Sequence, residues 1–307
     1  MGGSREGRGK RAPLRAFPER PPGQVQVSWM GGASTFGWPG VVERSRHAPW
    51  KLAGAIMPIA RAARAVTQFD HVVAHWIVPS AWPIALFAHP RSLEVWAHGA
   101  DVRLLTAMPV FARSVIRRLL EAHVRFVFVA QPLLDAVAAV LDERRARALV
   151  AASRIEPAPI DVPPRDTLSD PRDADRRTQP YAVWVGRATR DKRADLAARA
   201  ARDAGVQLVV VGDGPALPAS DDLVRCVGRL PRVEALRWIA HASALVSTSE
   251  IEGSPTVVRE ARALGVPVVS FPAGDVEEAA RNDDGIHLVR SEKELSRWLR
   301  ARSQCST

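Results

Sequence analysis

Two short segments gather side chains suited to a phosphorylated ligand. The first is Glu252-Gly253-Ser254-Pro255-Thr256-Val257-Val258-Arg259-Glu260-Ala261. Its two glutamates stand eight positions apart, a little over two helical turns, so both can lie on one side of a helix. Glu252 falls in a loop after a predicted strand, and Glu260 falls inside the helix that follows. The start of that helix directs backbone amides and a positive dipole end into the same space. A diphosphate there would be held while one carboxylate reaches each end of a long, hydroxyl-rich ligand. The alternative is that both acids are solvated helix-surface residues; the Gly-x-Pro between them and the strand before them favour the site. The second segment is Val185-Gly186-Arg187 with Lys192 five positions later. Two fixed cations at a strand's carboxyl end suit a pyrophosphate and can offset its charge in a transition state. The alternative is a surface pair. Only four of the 43 basic residues are lysine, yet one of them stands here.

Strands alternating with helices must position these groups. Strands are predicted at residues 181–185, 208–211, 223–227, 244–247 and 266–270, and helices at 194–204, 233–241, 255–264 and 292–301. The first half repeats the pattern, with strands at 25–29, 71–76, 93–97 and 125–130 and helices at 51–66, 111–122 and 132–141. Alternation of this kind implies parallel sheets covered on both faces. Six prolines punctuate the polar stretch 156–180. The expected organisation is a disordered basic arm (1–23), an N-terminal Rossmann-like domain (24–162), a linker (163–180) and a C-terminal Rossmann-like domain (181–307). Two such domains facing each other would form a cleft, and such sheets bind ligands where loops leave the carboxyl ends of the strands.

The composition is that of a globular protein, with 47% hydrophobic and 25% charged residues in 307. Two cysteines exclude a disulfide framework, and no apolar run approaches the roughly 18 residues that span a bilayer. Residues 1–23 have no apolar signal region, so a cytoplasmic location is expected. The net charge of +10 is uneven: +4 over residues 1–23, +5 over 24–162 and +1 over 163–307. A basic half suits nucleic acid, an anionic membrane surface or a phosphorylated ligand, or reflects an arginine-rich composition.

Taken in order, Gly186-Arg187 with Lys192, Gly212-Asp213-Gly214-Pro215, Gly228-Arg229-Leu230, Glu252 to Glu260 and Gly265-Val266-Pro267-Val268-Val269 resemble the donor domain of GT-B fold retaining glycosyltransferases of family 4. In the first half, Gly31-Gly32, His75-Trp76 through Pro79-Ser80 and His98-Gly99-Ala100-Asp101 are similar to that fold's glycine-rich loop and acceptor-domain motifs. Pro157-Ala158-Pro159-Ile160-Asp161 resembles its interdomain crossover, without the usual Asn-Gly. The short stretch between Gly32 and Asp70 implies a reduced N-terminal domain.

The resemblance implies transfer of a sugar from a nucleotide diphosphate to an alcohol or glycan acceptor, with retention and without a dedicated nucleophile, cofactor or required metal. Arg187 and Lys192 would hold the diphosphate, Glu260 the ribose hydroxyls and Glu252 the donor sugar. Gly253, Ser254, Pro255 and Thr256 would present backbone donors, Gly228, Arg229 and Leu230 would lie along the base, and Gly186 is a further donor-binding candidate. Gly31 and Gly32 would admit the phosphate from the facing domain, and His98 would face the reacting carbon. His75 and Asp101 are the acceptor-side candidates. Arg61, Arg64, Arg113, Arg117 and Arg118 fit a peripheral anionic-membrane contact or an ordinary solvated face. No recognisable nucleic-acid motif is present. A sugar-nucleotide epimerase and a non-catalytic binding protein on the same fold are the competing classes.

Overall fold

The computed structural model describes residues 69–88, 90–172 and 179–304, together with Arg64, Val66 and Thr67. The expected basic arm, the strand at 25–29 with Gly31 and Gly32, and all of the 51–66 helix but its end lie outside them.

The described residues form two wholly parallel sheets. The first has the strand order β1-β2-β3-β4, from β1 (His71–His75), β2 (Ser92–Ala97), β3 (Arg125–Phe128) and β4 (Ser153–Ile155). A kinked turn at Ile77–Ala81 leads into α1 (Trp82–Phe87), followed after β2 by α2 (Ala100–Thr106) and α3 (Pro109–Glu121). Helices α4 (Gln131–Ala139) and α5 (Glu143–Ala151) complete this half. Proline opens α3 and α4 near the first turn, where its missing N–H leaves no helical bond unmade.

The second sheet has the order β10-β9-β8-β5-β6-β7. Its elements are β5 (Tyr181–Val185), α6 (Ala194–Ala204), β6 (Gln207–Val211), β7 (Val224–Gly228), α7 (Arg232–Ala240), β8 (Ala244–Ser247), α8 (Thr256–Ala263), β9 (Val268–Ser270), α9 (Val276–Asn282), β10 (Ile286–Leu288) and α10 (Glu292–Gln304). The reversal between β5 and β8, its neighbour on the other side from β6, is the switch point at which doubly wound sheets bind ligands. Central strands read as apolar runs because helices cover both faces: Leu208, Val209, Val210 and Val211 in β6 are all buried. On α6, five buried alanines form a smooth face that lets the helix sit close against the sheet and α10.

Nine expected elements, the strands at 71–76, 93–97, 181–185, 208–211, 223–227 and 244–247 and the helices at 194–204, 233–241 and 255–264, match the observed bounds to within a residue at each end. The elements α1, α2, α5, β4, α9 and β10 are additional. All have nine residues or fewer, below the roughly 11–18-residue window over which apolar periodicity is clearest. Between the sheets the chain stays packed: Leu168 is buried in the second core, and the His241 imidazole bonds its carbonyl at 2.7 Å. Arg259 on α8 donates through Nη1 to the Ala158 carbonyl, fastening that helix to the crossover.

Candidate functional site

The loops at the carboxyl ends of β2 and β8 meet. A Cβ placed on Gly253 would lie 3.0 Å from the His98 carbonyl oxygen and 3.0 Å from Leu133 Cδ1. The Glu252–Thr256 segment thus seats directly on the His98-Gly99 turn of the first half. A second bridge joins Arg103 on α2 to Asp191, at 3.4 Å, one residue from Lys192.

Lys192 ends a helical turn at Arg190–Lys192, and Arg193 then takes a left-handed conformation (φ 51°) that starts α6. The Arg193 side chain is tied down by an Nε bond to the Thr248 carbonyl (2.7 Å) and by stacking over the Phe271 ring (4.6 Å). Thr248, fully buried, donates its hydroxyl to the carbonyls of Lys192 and Arg193. The carboxyl end of β8 thereby fixes where Lys192 stands. Its ammonium forms an ion pair with Glu252, and both side chains are largely shielded, at 18% and 16% exposed. The structure therefore brings Lys192, Glu252, Gly253 and His98 into one constellation.

Glycines shape the floor. Gly212 has φ +140°, and a Cβ there would lie 1.8 Å from the Gly186 carbonyl oxygen. Gly274 has φ +64°, and a Cβ there would lie 1.9 Å from the Gly253 carbonyl oxygen. Beneath the loop the Ser254 hydroxyl approaches the Asp275 carboxyl, whose pKa burial raises, without meeting hydrogen-bond geometry. Ser254 Oγ and Asp213 Oδ1 are buried polar atoms with no hydrogen-bond partner among the described residues. Pro255 caps α8, and Thr256 begins it, exposed.

Glu260 lies in the middle of α8. Arg232, the first residue of α7, holds it with bonds of 2.8 and 3.1 Å to Oε1. Arg232 has no signal in the sequence, since its partner is 28 positions away. Gly186 and Arg187 follow β5, where the Gly186 amide donates to Val211 (3.0 Å). Gly228 ends β7 with φ 76° beside Gly212, and Arg229 and Leu230 continue outward from it.

On the first half, His98 Nε2 and His75 Nδ1 are 2.8 Å apart, with ring centroids at 5.1 Å. Trp96 flanks both rings, at 6.1 Å from His75 and 6.4 Å from His98. Asp101 departs from the acceptor-side expectation. It is 3% exposed, its Oδ1 accepts from the His98 and Gly99 amides (3.1 and 3.0 Å), and its Oδ2 accepts from Ile77 (2.9 Å). Its carboxylate is a strut that shapes the His98-Gly99 turn and is turned away from solvent. An Asp shortly after a glycine at a helix start is the available signal for this use.

Burial drives the His98 pKa down from 6.5 to about 4, so its ring is neutral near neutral pH. Above pH 6.5 the imidazole is neutral in the folded and the unfolded chain alike. Between 6.5 and about 4 the unfolded chain takes up a proton that the folded chain refuses, so this contribution to stability is lost as the pH falls through that window. Asp101 runs the other way: burial, opposed by backbone hydrogen bonds, raises its pKa above 3.8, which favours the folded state at low pH and fades as the pH rises. Comparing the wild type with His98→Gln cancels the Asp101 effect. The melting temperatures should keep a constant offset above pH 7, and the wild type should lose ground steadily towards pH 4.5. An offset constant over the whole range would refute the assignment.

No group of three or more His, Cys, Asp or Glu side chains able to hold a metal occurs among the described residues. One Asp-x-Asp triplet, Asp173-Ala174-Asp175, lies outside them. No helix among the described residues is long and apolar enough to cross a membrane.

Two parallel α/β sheets that meet through the loops at their strand ends define the GT-B architecture of glycosyltransferase structures. Residues 179–301 match the family described as glycosyl transferases group 1. Anabaena Alr3699/HepE, solved in complex with UDP-glucose, superimposes with a TM-score of 0.63 at 15% identity, over 81% of this chain and 73% of that one. Sucrose-phosphate synthase from Thermosynechococcus elongatus gives a TM-score of 0.55 at 17% identity, over 83% of this chain and 73% of that one. In sequence, the chain is 28% identical over 219 residues to TuaC of Bacillus subtilis (strain 168), named as a glycosyltransferase of teichuronic acid biosynthesis. The match takes in 67% of this chain and 54% of TuaC, so the chain spans about half the length of that relative.

Proposed function

We propose that the chain is a metal-independent, retaining glycosyltransferase that moves a sugar from a uridine diphosphate sugar to a hydroxyl of a glycan or polysaccharide precursor. The observation that carries this reading is the shielded Lys192–Glu252 pair seated against the His98 turn, on a segment of the group 1 family. The named activity of TuaC and the UDP-glucose complex of HepE support the substrate class.

Breaking the sugar–phosphate bond builds positive charge on the ring and negative charge on the departing diphosphate. Lys192, Arg187 and the amides at the start of α8 stabilise the latter. Glu252 accepts hydrogen bonds from donor sugar hydroxyls, and Glu260, oriented by Arg232, accepts from the ribose. His98, neutral, faces the reacting carbon. The departing phosphate takes the acceptor's proton, which leaves no need for a protein nucleophile and gives retention. The test is a thermal-shift panel of sugar nucleotides followed by product analysis with a glycan acceptor. A preferred donor stabilises the folded state by about 2.7 kcal/mol at a hundred times its dissociation constant. Indifference to every sugar nucleotide would defeat the reading, and conversion of the donor without acceptor would replace it with epimerisation.

The acceptor is proposed to lie at an anionic membrane surface. Helix α3 exposes Val110 beside Arg113 and Arg117, and α1, packed on it, exposes Phe87. Sedimentation with phosphatidylglycerol vesicles but not with phosphatidylcholine vesicles is the expected result; indifference to the anionic lipid rejects it.

A further inference from the structure

The mechanism above uses one of the two histidines at the end of the first sheet. His75 closes β1 and His98 follows β2, and the parallel register sets His75 opposite Trp96. Their imidazoles stack at an interplanar angle of 27° and share a 2.8 Å contact from His75 Nδ1 to His98 Nε2. A contact of that length between ring nitrogens is a hydrogen bond only when one ring supplies the proton and the other the lone pair. It therefore assigns His98 Nε2 to His75 whichever ring carries the proton. His98 Nδ1 makes no hydrogen bond among the described residues. Trp96 on one side, and Asp101 through the His98 amide, prevent the ring and its backbone from turning away.

We propose that His75 is a positioning residue for His98: by engaging Nε2 it holds the ring's orientation, couples the ring's tautomer to its own and leaves Nδ1 as the atom offered to the substrate. This rests on the glycosyltransferase reading for its kinetic consequence but not for its structural one. Among the described residues, the charged and titratable groups near the pair include Asp101, which accepts from the His98 amide, Glu94, which accepts from Trp96 Nε1 at 3.0 Å, and the Lys192–Glu252 pair carried by the opposite loop. None of these bonds the His98 ring itself, so the neighbouring imidazole is the ring's hydrogen-bond partner among the described residues.

The experiment uses the full chain labelled with nitrogen-15. In the wild type, His98 should show one pyrrole-like and one pyridine-like nitrogen, with a scalar coupling to His75 Nδ1 across the hydrogen bond. His75→Phe keeps a stacking ring and removes the nitrogen, and should give mixed His98 tautomers. His75→Asn, whose amide reaches the same point, should restore a single tautomer. With a turned-over sugar nucleotide, kcat should fall about tenfold in His75→Phe, the cost of one hydrogen bond lost in the transition state, and stay within about threefold in His75→Asn. The donor KM should change little in either. Averaged His98 nitrogens in the wild type would overturn the proposal without any variant having to fold. So would a His75→Phe protein with an unchanged tautomer or an unchanged kcat. If no sugar nucleotide is turned over, the function proposed above fails, while the nitrogen spectra still decide the role of His75.

Discussion

Replacing Lys192 with alanine should lower kcat for sugar transfer by about 10²- to 10³-fold, the usual loss when one preorganised charge is removed from a developing anion. The same change strands Glu252, which is 16% exposed and has Lys192 as its ion-pair partner. Breaking one side of a shielded pair destabilises the fold as well, so loss of turnover alone would be ambiguous. Pairing Lys192→Met with Glu252→Gln resolves it. The double variant has no stranded charge and should melt within a few degrees of the wild type, yet remain as inactive as Lys192→Ala. Glu252→Gln alone keeps a hydrogen-bonding group towards sugar hydroxyls and should fall between the two. Steady-state kinetics with calorimetry on the four proteins separates the effects. A double variant that regains turnover along with stability would mean that the pair only holds the fold together.

Gly274→Ala should cost about 3 kcal/mol or more and lower the melting temperature by roughly 6–12 °C. The added methyl would sit 1.9 Å from the Gly253 carbonyl oxygen and 2.7 Å from its carbon, both backbone atoms that cannot swing aside. The Asp275 amide donates to that same carbonyl at 3.0 Å, so relief of the clash must break the bond that shapes the loop. Gly205→Ala is the control. Gly205 also has positive φ (+69°), but nothing lies within 4 Å of the added carbon, so the cost is conformational only, about 1–2 kcal/mol. The excess of Gly274→Ala over Gly205→Ala measures the steric part. Because the displaced carbonyl belongs to Gly253, the donor's thermal shift should shrink in Gly274→Ala and remain intact in Gly205→Ala. Equal losses in the two variants would show that the loop yields freely.

The second sheet was legible in the sequence because its strands are continuous apolar runs and its helices are long enough to show a period; α6 is an example, read at its observed bounds. The α9 helix and β10 escaped notice, since seven and three residues carry no periodic signal against a charged background. Within the site, Lys192, Glu252 and Gly253 stood out by type and spacing, and the structure brings them beside His98. What the sequence could not disclose is which group touches which. The Arg232–Glu260 and Arg103–Asp191 pairs join positions 28 and 88 residues apart, and local spacing holds no record of them. Asp101 shows the same limit: a carboxylate next to a histidine motif has the same letters whether it faces a ligand or three backbone amides, as it does here.

The bond from Arg259 to the Ala158 carbonyl ties the helix carrying Glu260 to the stretch of chain between the two sheets. On the proposed donor reading, a change in that stretch would be passed along this bond to the helix whose Glu260 is assigned to the ribose.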